Sequence, residues 1–366
     1  LEHQKRYGAD FPNLIYIYAQ GHRHSHKNVT PIVMMPQANI VFLIGLLVLQ
    51  HCTNPADKIN GISLVSADMA LHNTHIEPVL QVNANFAAVM PFGFIRDLDH
   101  PEIVYNTERQ WYGETKTGVT QYINTLKTNR IKIMLKPQIW VWHGKFTGDI
   151  HMQSESDWQL LETSYSKFIL DYAQLAQHLK VELFCIGTEL ENFIEIRPAY
   201  WFSLIQEIKK AYSGKLTYAA NWNEFAQTPF WSVLDYIGID AYFPICASKT
   251  PTVQECMEGW ETHKAAIESV FVATGKPILF TEYGYRSMDY SGREPWKSDE
   301  VMEPVNLEAQ LNTTRALYNT FWDEYWFAGG FIWKWFVNHD ASGGSNNNRF
   351  TPQNKPVEAL MKTQYD

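Results

Sequence analysis

Val181-Glu182-Leu183-Phe184-Cys185-Ile186-Gly187-Thr188-Glu189-Leu190-Glu191-Asn192 is the stretch from which the fold is read. Its first half is an apolar run of strand length, and it ends abruptly on polar and acidic residues. Immediately upstream, Leu160, Leu161, Tyr165, Phe168, Ile169, Tyr172, Leu175, Ala176 and Leu179 recur at helical spacing. That pattern predicts a helix over Asp157–Leu179, with Ser154 or Ser156 as its cap. A helix feeding a strand buried on both faces is the repeating unit of α/β proteins.

The same unit recurs in both directions along the chain. Further strand-like runs are Ile59–Ser66, Phe86–Ile95, Lys132–Val141, Leu216–Asn223, Tyr236–Ile245, Pro277–Tyr285 and Gly329–Phe336. Helical patterns cover Pro198–Tyr212, Thr252–Thr274, Asn306–Trp326 and Pro356–Tyr365, and Gly214 and Gly275 sit where helix stops are wanted. Eight such alternations over residues 59–366 predict a single (β/α)8 TIM barrel. The competing doubly wound sheet wants a glycine-rich phosphate turn after its first strand, and Ala67-Asp68-Met69 stands there instead. Ser342-Gly343-Gly344-Ser345-Asn346-Asn347-Asn348 follows the eighth strand and reads as a mobile loop over the barrel mouth.

Residues 1–58 read as a lead-in. The run Ala38-Asn39-Ile40-Val41-Phe42-Leu43-Ile44-Gly45-Leu46-Leu47-Val48-Leu49 is too short to span a bilayer but has the length of a signal-peptide apolar region. Cys52 follows it closely, so the segment is expected to be a lipoprotein signal with Cys52 as the lipid-bearing residue, placing the protein at a periplasmic or cell-surface membrane. His51 stands where a small residue is usual before such a cysteine, and a buried core helix is the alternative. Met34 and Met35 are candidate starts. His22, His24 and His26 upstream read as a solvated basic stretch rather than a metal site.

The formal charge is 30 basic minus 39 acidic residues, or −9. That excludes nucleic acid as a main partner, because phosphate binding needs a basic face. With 45% hydrophobic and 19% charged residues, a large folded core is expected. The 13 Trp, 19 Tyr and 20 Phe suit either that core or a groove of flat rings. The four cysteines show no zinc spacing, and no metal or organic cofactor is expected. Cys185 falls in an apolar strand; Cys246 and Cys256 are near enough in sequence to pair in an oxidising compartment.

In a barrel of this kind the chemistry sits at the carboxyl ends of the strands. Glu189 ends the fourth and Glu282, in Phe280-Thr281-Glu282-Tyr283-Gly284-Tyr285, ends the seventh. Two facing carboxyl groups, one protonated and one ionised, are what glycoside cleavage requires. Ion pairs with nearby bases are the alternative use of each. Around them, Lys136, Trp140, Trp142 and His143 near strand three, Asn221 and Trp222 after strand five, Tyr242 after strand six and Trp333 on strand eight are candidate sugar-binding residues. Tyr242 offers a phenol to the strand-seven carboxylate, and an indole at Trp333 can stack on a pyranose.

Ile186-Gly187-Thr188-Glu189-Leu190, the strand-seven motif and Leu135-Lys136-Pro137-Gln138-Ile139-Trp140-Val141 together resemble glycoside hydrolase family 113, a β-1,4-mannanase family of the retaining clan A barrels. The resemblance covers residues 59–365. It implies that Glu189 is the acid/base and Glu282 the nucleophile, acting on β-1,4-mannan or manno-oligosaccharides. Many clan members carry Asn before the acid/base, and Thr188 stands there here. The same mechanism on a β-linked glucan or xylan is an alternative, as is a carbohydrate-binding barrel without turnover. A metal-dependent hydrolase would want His-x-His after strand one, and residues 66–69 hold none.

Overall fold

The parity of side chains along the strands divides the protein into an inside and an outside. The computed structural model describes residues 58–297 and 303–366. Cys52, the apolar run 38–49 and the three upstream histidines lie outside the described residues. Strands β1 (Ile59–Leu64), β2 (Phe86–Val89), β5 (Lys132–Leu135), β7 (Leu183–Thr188), β8 (Lys215–Asn221), β9 (Ile237–Asp240), β10 (Ile278–Tyr283) and β11 (Phe327–Trp335) pair in parallel. β11 returns to β1, with Ile62 opposite Ile332, and closes the barrel. Ile59, Phe86, Ala88, Met134, Leu183, Cys185, Ala219, Leu279 and Phe331 form one small apolar cluster. Their strand neighbours Ala87, Ile133, Leu135, Phe184 and Ile186 belong to a second, larger one that includes the helices. Alternating membership places the first cluster inside the barrel and the second between barrel and helices. Phe331 fills the interior beside Gly61, where an added Cβ would come within 2.4 Å of the ring.

All eight expected strands are present, but two of them break. Phe86–Ile95 divides into β2 and β3 (Phe92–Ile95), and Lys132–Val141 into β5 and β6 (Gln138–Val141). The breaks fall at Pro91 and Pro137, which have no N–H to give a ladder. Lys136 N–H donates to Val89 O and Gln138 N–H to Pro91 O, both at 2.9 Å, so pairing steps over Pro137. Beyond the barrel β3 pairs with β6 on one side and with the short β4 (Val104–Tyr105) on the other, in the order β4-β3-β6.

Helices α1 (Asn73–Gln81) and α2 (Lys116–Thr128) fill the first two crossovers and α3 (Glu155–His178) the third. Ser154 accepts the Asp157 N–H at 3.1 Å, so the cap starts α3 two residues before the spacing predicts. The fourth crossover holds α4 (Glu191–Ile196) and α5 (Pro198–Ala211), the latter opened by Pro198. Between β8 and β9 a short 3₁₀ turn, Trp231–Val233, replaces the helix. α6 (Val253–Thr274) begins in a Thr252–Glu255 capping box and stops at Gly275, at φ +67°. α7 (Leu307–Phe321) is capped by Asn306 and ends before the expected Trp326; α8 (Pro356–Gln364) follows β11.

Gly214 does not stop α5. The helix ends at Ala211 and Tyr212 turns extended, its hydroxyl donating to Val181 O at 2.8 Å. A Cβ on Gly214 would lie 2.1 Å from that hydroxyl, so the glycine makes room for the ring. The 342–348 loop expected to be mobile is fastened: Gly344 N–H donates to Gln353 O at 3.1 Å, and Lys355 Nζ to Asn347 Oδ1 at 2.9 Å. Cys185 is a buried free thiol; Cys246 and Cys256 are free thiols whose sulfurs touch at 3.4 Å. Among the described residues no helix is long and apolar enough to cross a membrane.

Candidate active site

Both glutamates follow a slip in strand register. On β10 Phe280 pairs with Ile239 and Glu282 with Asp240, so β10 advances two residues against one. On β7 the pairing passes from Cys185–Thr217 to Thr188–Ala219, three residues against two. Each slip is a bulge, a device that re-aims the side chains beyond it. On β10 it brings Glu282 to the interior face that Leu279 occupies lower down. At the end of β7, Glu189 takes a left-handed backbone at φ +49°, which is unusual for a residue with a Cβ.

Glu282 is 6% exposed and accepts from three side chains. Lys136 Nζ donates to Oε1 at 2.5 Å, Gln138 Nε2 to Oε1 at 3.1 Å and the Tyr242 hydroxyl to Oε2 at 2.7 Å. Donors converging in this way suit an anion and fix where its lone pairs point. Lys136 is fully buried; its other bonds run to both oxygens of Asp240 at 3.2 Å. Thr281 Oγ1 donates to Asp240 Oδ1 at 2.7 Å. Lys136 follows Met134 on the interior face, which explains how a lysine enters a barrel: two carboxylates receive it. Burial works to lower the ammonium's pKa, but the charges of Asp240 and Glu282 outweigh it and hold the group above its usual range. Burial and the neighbouring Glu282 push Asp240 up to about 7, against the cation.

Glu189 keeps part of its surface open at the rim. Burial of its carboxyl, together with the charges of Asp240 and Glu282, holds it well above the usual carboxylate range despite Lys136. Tyr242, buried and beside Glu282, is likewise raised, first by burial and then by that carboxylate. The mouth therefore holds one carboxyl wrapped in donors and one that favours its proton.

Of the sequence-predicted residues, Lys136, Tyr242 and Glu282 are in direct contact, and Glu189 lies within their electrostatic reach. Asn221 ends β8 opposite Asp240, its Oδ1 accepting the Trp222 N–H at 2.8 Å. Trp222 is half-buried and stacks on Trp296 with centroids 5.0 Å apart. Trp333 is half-buried on β11, and its carbonyl approaches Gly284 so closely that a Cβ there would lie 2.6 Å from it. Trp140 shares β6 with Gln138, and Trp142 beyond it is 44% exposed, edge-on to His143 at 5.9 Å. Among the described residues no group of three or more His, Cys, Asp or Glu is arranged to hold a metal ion.

A sequence model of Glycoside Hydrolase Family 113 matches residues 70–355. The chain belongs to glycoside hydrolase family 113. No curated protein matches this family-113 chain in sequence. Among solved structures it is similar to the GH113 β-mannanase AaManA from Alicyclobacillus acidocaldarius, in complex with ManMIm. That likeness has a TM-score of 0.72 at 23% identity and covers 84% of this chain and 97% of that one. A GH113 β-1,4-mannanase complex is similar with a TM-score of 0.73 at 21% identity, covering 84% and 99%. A β-glucuronidase from Ruminococcus gnavus, bound to C6-substituted uronic isofagomine, reaches 0.57 at 14% identity over 84% of this chain and 50% of that one. These likenesses establish the shared fold.

Sequence reasoning passed over three residues, two bonded to the Lys136–Glu282 pair and one stacked on Trp222. Gln138 stood inside the strand-three motif, two residues after Lys136, where strand parity places both on one face. Asp240 stood in the strand-like run Tyr236–Ile245, two residues before Tyr242, and a buried lysine is itself a signal that such a carboxylate must exist. Trp296 carried no signal, because its stack on Trp222 joins distant loops.

Proposed function

We propose that the protein is a retaining hydrolase of β-1,4-linked mannan or manno-oligosaccharides. The observation that carries this reading is the contrast between the two carboxyl groups. Glu282 is wrapped by Lys136, Gln138 and Tyr242, while Glu189, near enough to feel the charge of Glu282, has a raised proton affinity. In the first step a Glu282 oxygen bonds to the anomeric carbon, the glycosidic C–O bond breaks, and the Glu189 proton goes to the departing oxygen. In the second, Glu189 takes a proton from water, the water oxygen bonds to the anomeric carbon, and Glu282 is released. Such a route wants the two carboxyl groups about 5–5.5 Å apart. Covalent attachment removes the Glu282 charge, which lowers the proton affinity of Glu189 at the moment it must act as base.

Mannan is chosen because two family-113 structures similar to this chain are described as β-mannanases. Asn221, Trp222, Trp333, Trp140 and Trp142 are proposed as sugar contacts, the rings offering flat faces to pyranose C–H surfaces. Lys136, fully buried, is proposed to act through Glu282. A panel of mannan, glucomannan, cellulose and xylan, with product sizes resolved, tests the reading. Cleavage of mannan that is lost in Glu282→Ala supports it. Cleavage of cellulose or xylan alone moves the substrate, and an undiminished Glu282→Ala overturns the assignment. Export with a lipid on Cys52 is a separate proposal resting on residues 38–52. Radiolabelled palmitate incorporated by the wild type but not by Cys52→Ser tests it.

A further inference from the structure

Glu224 takes no part in the steps just written, yet it is 4% exposed beside the mouth. It follows Asn221-Trp222-Asn223 in the turn after β8, its N–H donating to Asn221 O at 3.0 Å. Its Oε1 accepts from the Tyr218 hydroxyl at 2.8 Å, and its Oε2 is buried with no hydrogen-bond partner among the described residues. Tyr218 is fully buried on β8, and its hydroxyl oxygen accepts the Leu190 N–H at 2.6 Å. Leu190 is the residue after Glu189. On the other side, the Glu189 N–H donates to Ala219 O at 2.8 Å, the residue after Tyr218. Both peptides flanking the left-handed Glu189 are therefore held by adjacent residues of β8. A backbone of that kind persists only where its surroundings over-determine it. A buried carboxyl with an unmatched oxygen is costly, and an apolar side chain would fill the place without that cost.

We propose that Glu224 and Tyr218 form a positioning relay, Leu190 N–H to Tyr218 to Glu224, which fixes the Glu189 turn and aims its carboxyl at the departing oxygen. The inference rests on reading Glu189 as the acid. Burial first of all pushes Glu224 up to about 8, which favours its neutral form and limits the charge it sets near Glu189. Neutral Glu224 still accepts the tyrosine hydroxyl through its carbonyl oxygen.

The test compares two substrates in Tyr218→Phe, Glu224→Ala and Glu224→Gln. A manno-oligosaccharide needs a proton on its departing oxygen; 2,4-dinitrophenyl β-mannobioside does not. Tyr218→Phe and Glu224→Ala are expected to lower kcat/KM on the oligosaccharide on the order of tenfold to a hundredfold, as misplacement of a reacting group does. Their kcat/KM on the dinitrophenyl substrate stays within about twofold, because bond cleavage there needs no acid. Glu224→Gln, which keeps an oxygen acceptor, recovers part of the loss. Equal losses on both substrates mean general damage and overturn the relay, as does no loss on either. If Glu224→Ala fails to fold, Tyr218→Phe carries the comparison. If the wild type cleaves neither substrate, the glycosidase reading has failed separately. The relay is then judged by ¹³C NMR titration of the Glu189 carboxyl, assigned with Glu189→Gln. A titration curve that moves in Tyr218→Phe supports it, and one that stays overturns it.

Discussion

Lys136 Nζ lies 2.5 Å from Glu282 Oε1 inside the barrel, and the same ammonium binds both oxygens of Asp240. None of the three is stable there alone. A buried cation needs an anion, and two buried carboxylates need a cation between them. The arrangement makes the orientation of Glu282 a property of three barrel strands rather than of one loop, which is the rigidity its proposed role as nucleophile requires.

Removing the cation tests this. Lys136→Met is expected to destabilise the fold by about 3–5 kcal/mol, the usual cost of stranding a buried charge. It should also lower kcat by about a hundredfold or more, with KM changing by less than about threefold. Urea unfolding and steady-state kinetics read both. A rise in KM with kcat preserved would mean that Lys136 binds sugar directly.

Tyr242→Phe deletes one donor and leaves the ring, which packs edge-on against Phe350 at 5.9 Å. A hydrogen bond to a charged group contributes about 1.5–3 kcal/mol. If it is made in the transition state, kcat falls by about ten- to a hundredfold. Losing it should also lower the melting temperature by a few degrees, and unchanged kinetics would remove Tyr242 from the site.

The pH dependence of stability has a definite sign. Asp240 is pushed up to about 7 and Glu224 to about 8, each by burial first. Between the ordinary carboxylate value, about 4, and those values, the folded protein binds more protons than the unfolded chain. Their contribution to stability therefore falls as pH rises through that window. Glu224→Gln should flatten the decline in urea midpoint between about pH 5 and pH 8 relative to the wild type. An identical slope in both would show that Glu224 does not titrate there.

Two glycines separate backbone strain from site geometry. A Cβ on Gly259 in α6 would lie 1.7 Å from Ile245 O, in the loop that carries Tyr242. Gly259→Ala should push that loop, destabilise by about 1–3 kcal/mol and lower kcat. At Gly275 nothing among the described residues lies within 4 Å of such a Cβ, and the left-handed φ of +67° resists it. Gly275→Ala should cost about 1 kcal/mol with activity intact. Thermal melts and rate assays distinguish the two patterns, and equal activity in both variants would contradict the coupling of Gly259 to Tyr242.

The strands were legible because apolar runs of fixed length mark them, and the helices because spacing and caps do. The breaks at Pro91 and Pro137 were legible too in principle, since proline interrupts any ladder. The bulges before Glu189 and Glu282 were not, because they arise from pairing across β7–β8 and β9–β10. Glu224 was hidden for the same reason: its value depends on Tyr218 reaching back to Leu190, a contact between residues far apart in sequence. Gly214 misled because a glycine after a helix resembles a stop, although here it accommodates the Tyr212 ring.

The central claim is that Glu282 is the attacking group. It is tested most directly by incubating the enzyme with a 2-deoxy-2-fluoro β-mannoside carrying a dinitrophenyl leaving group and sequencing the labelled peptide by mass spectrometry. The account predicts one glycosyl unit, attached to Glu282. A label on another residue, or no label in an enzyme that cleaves the unfluorinated substrate and releases the inverted anomer, would contradict it.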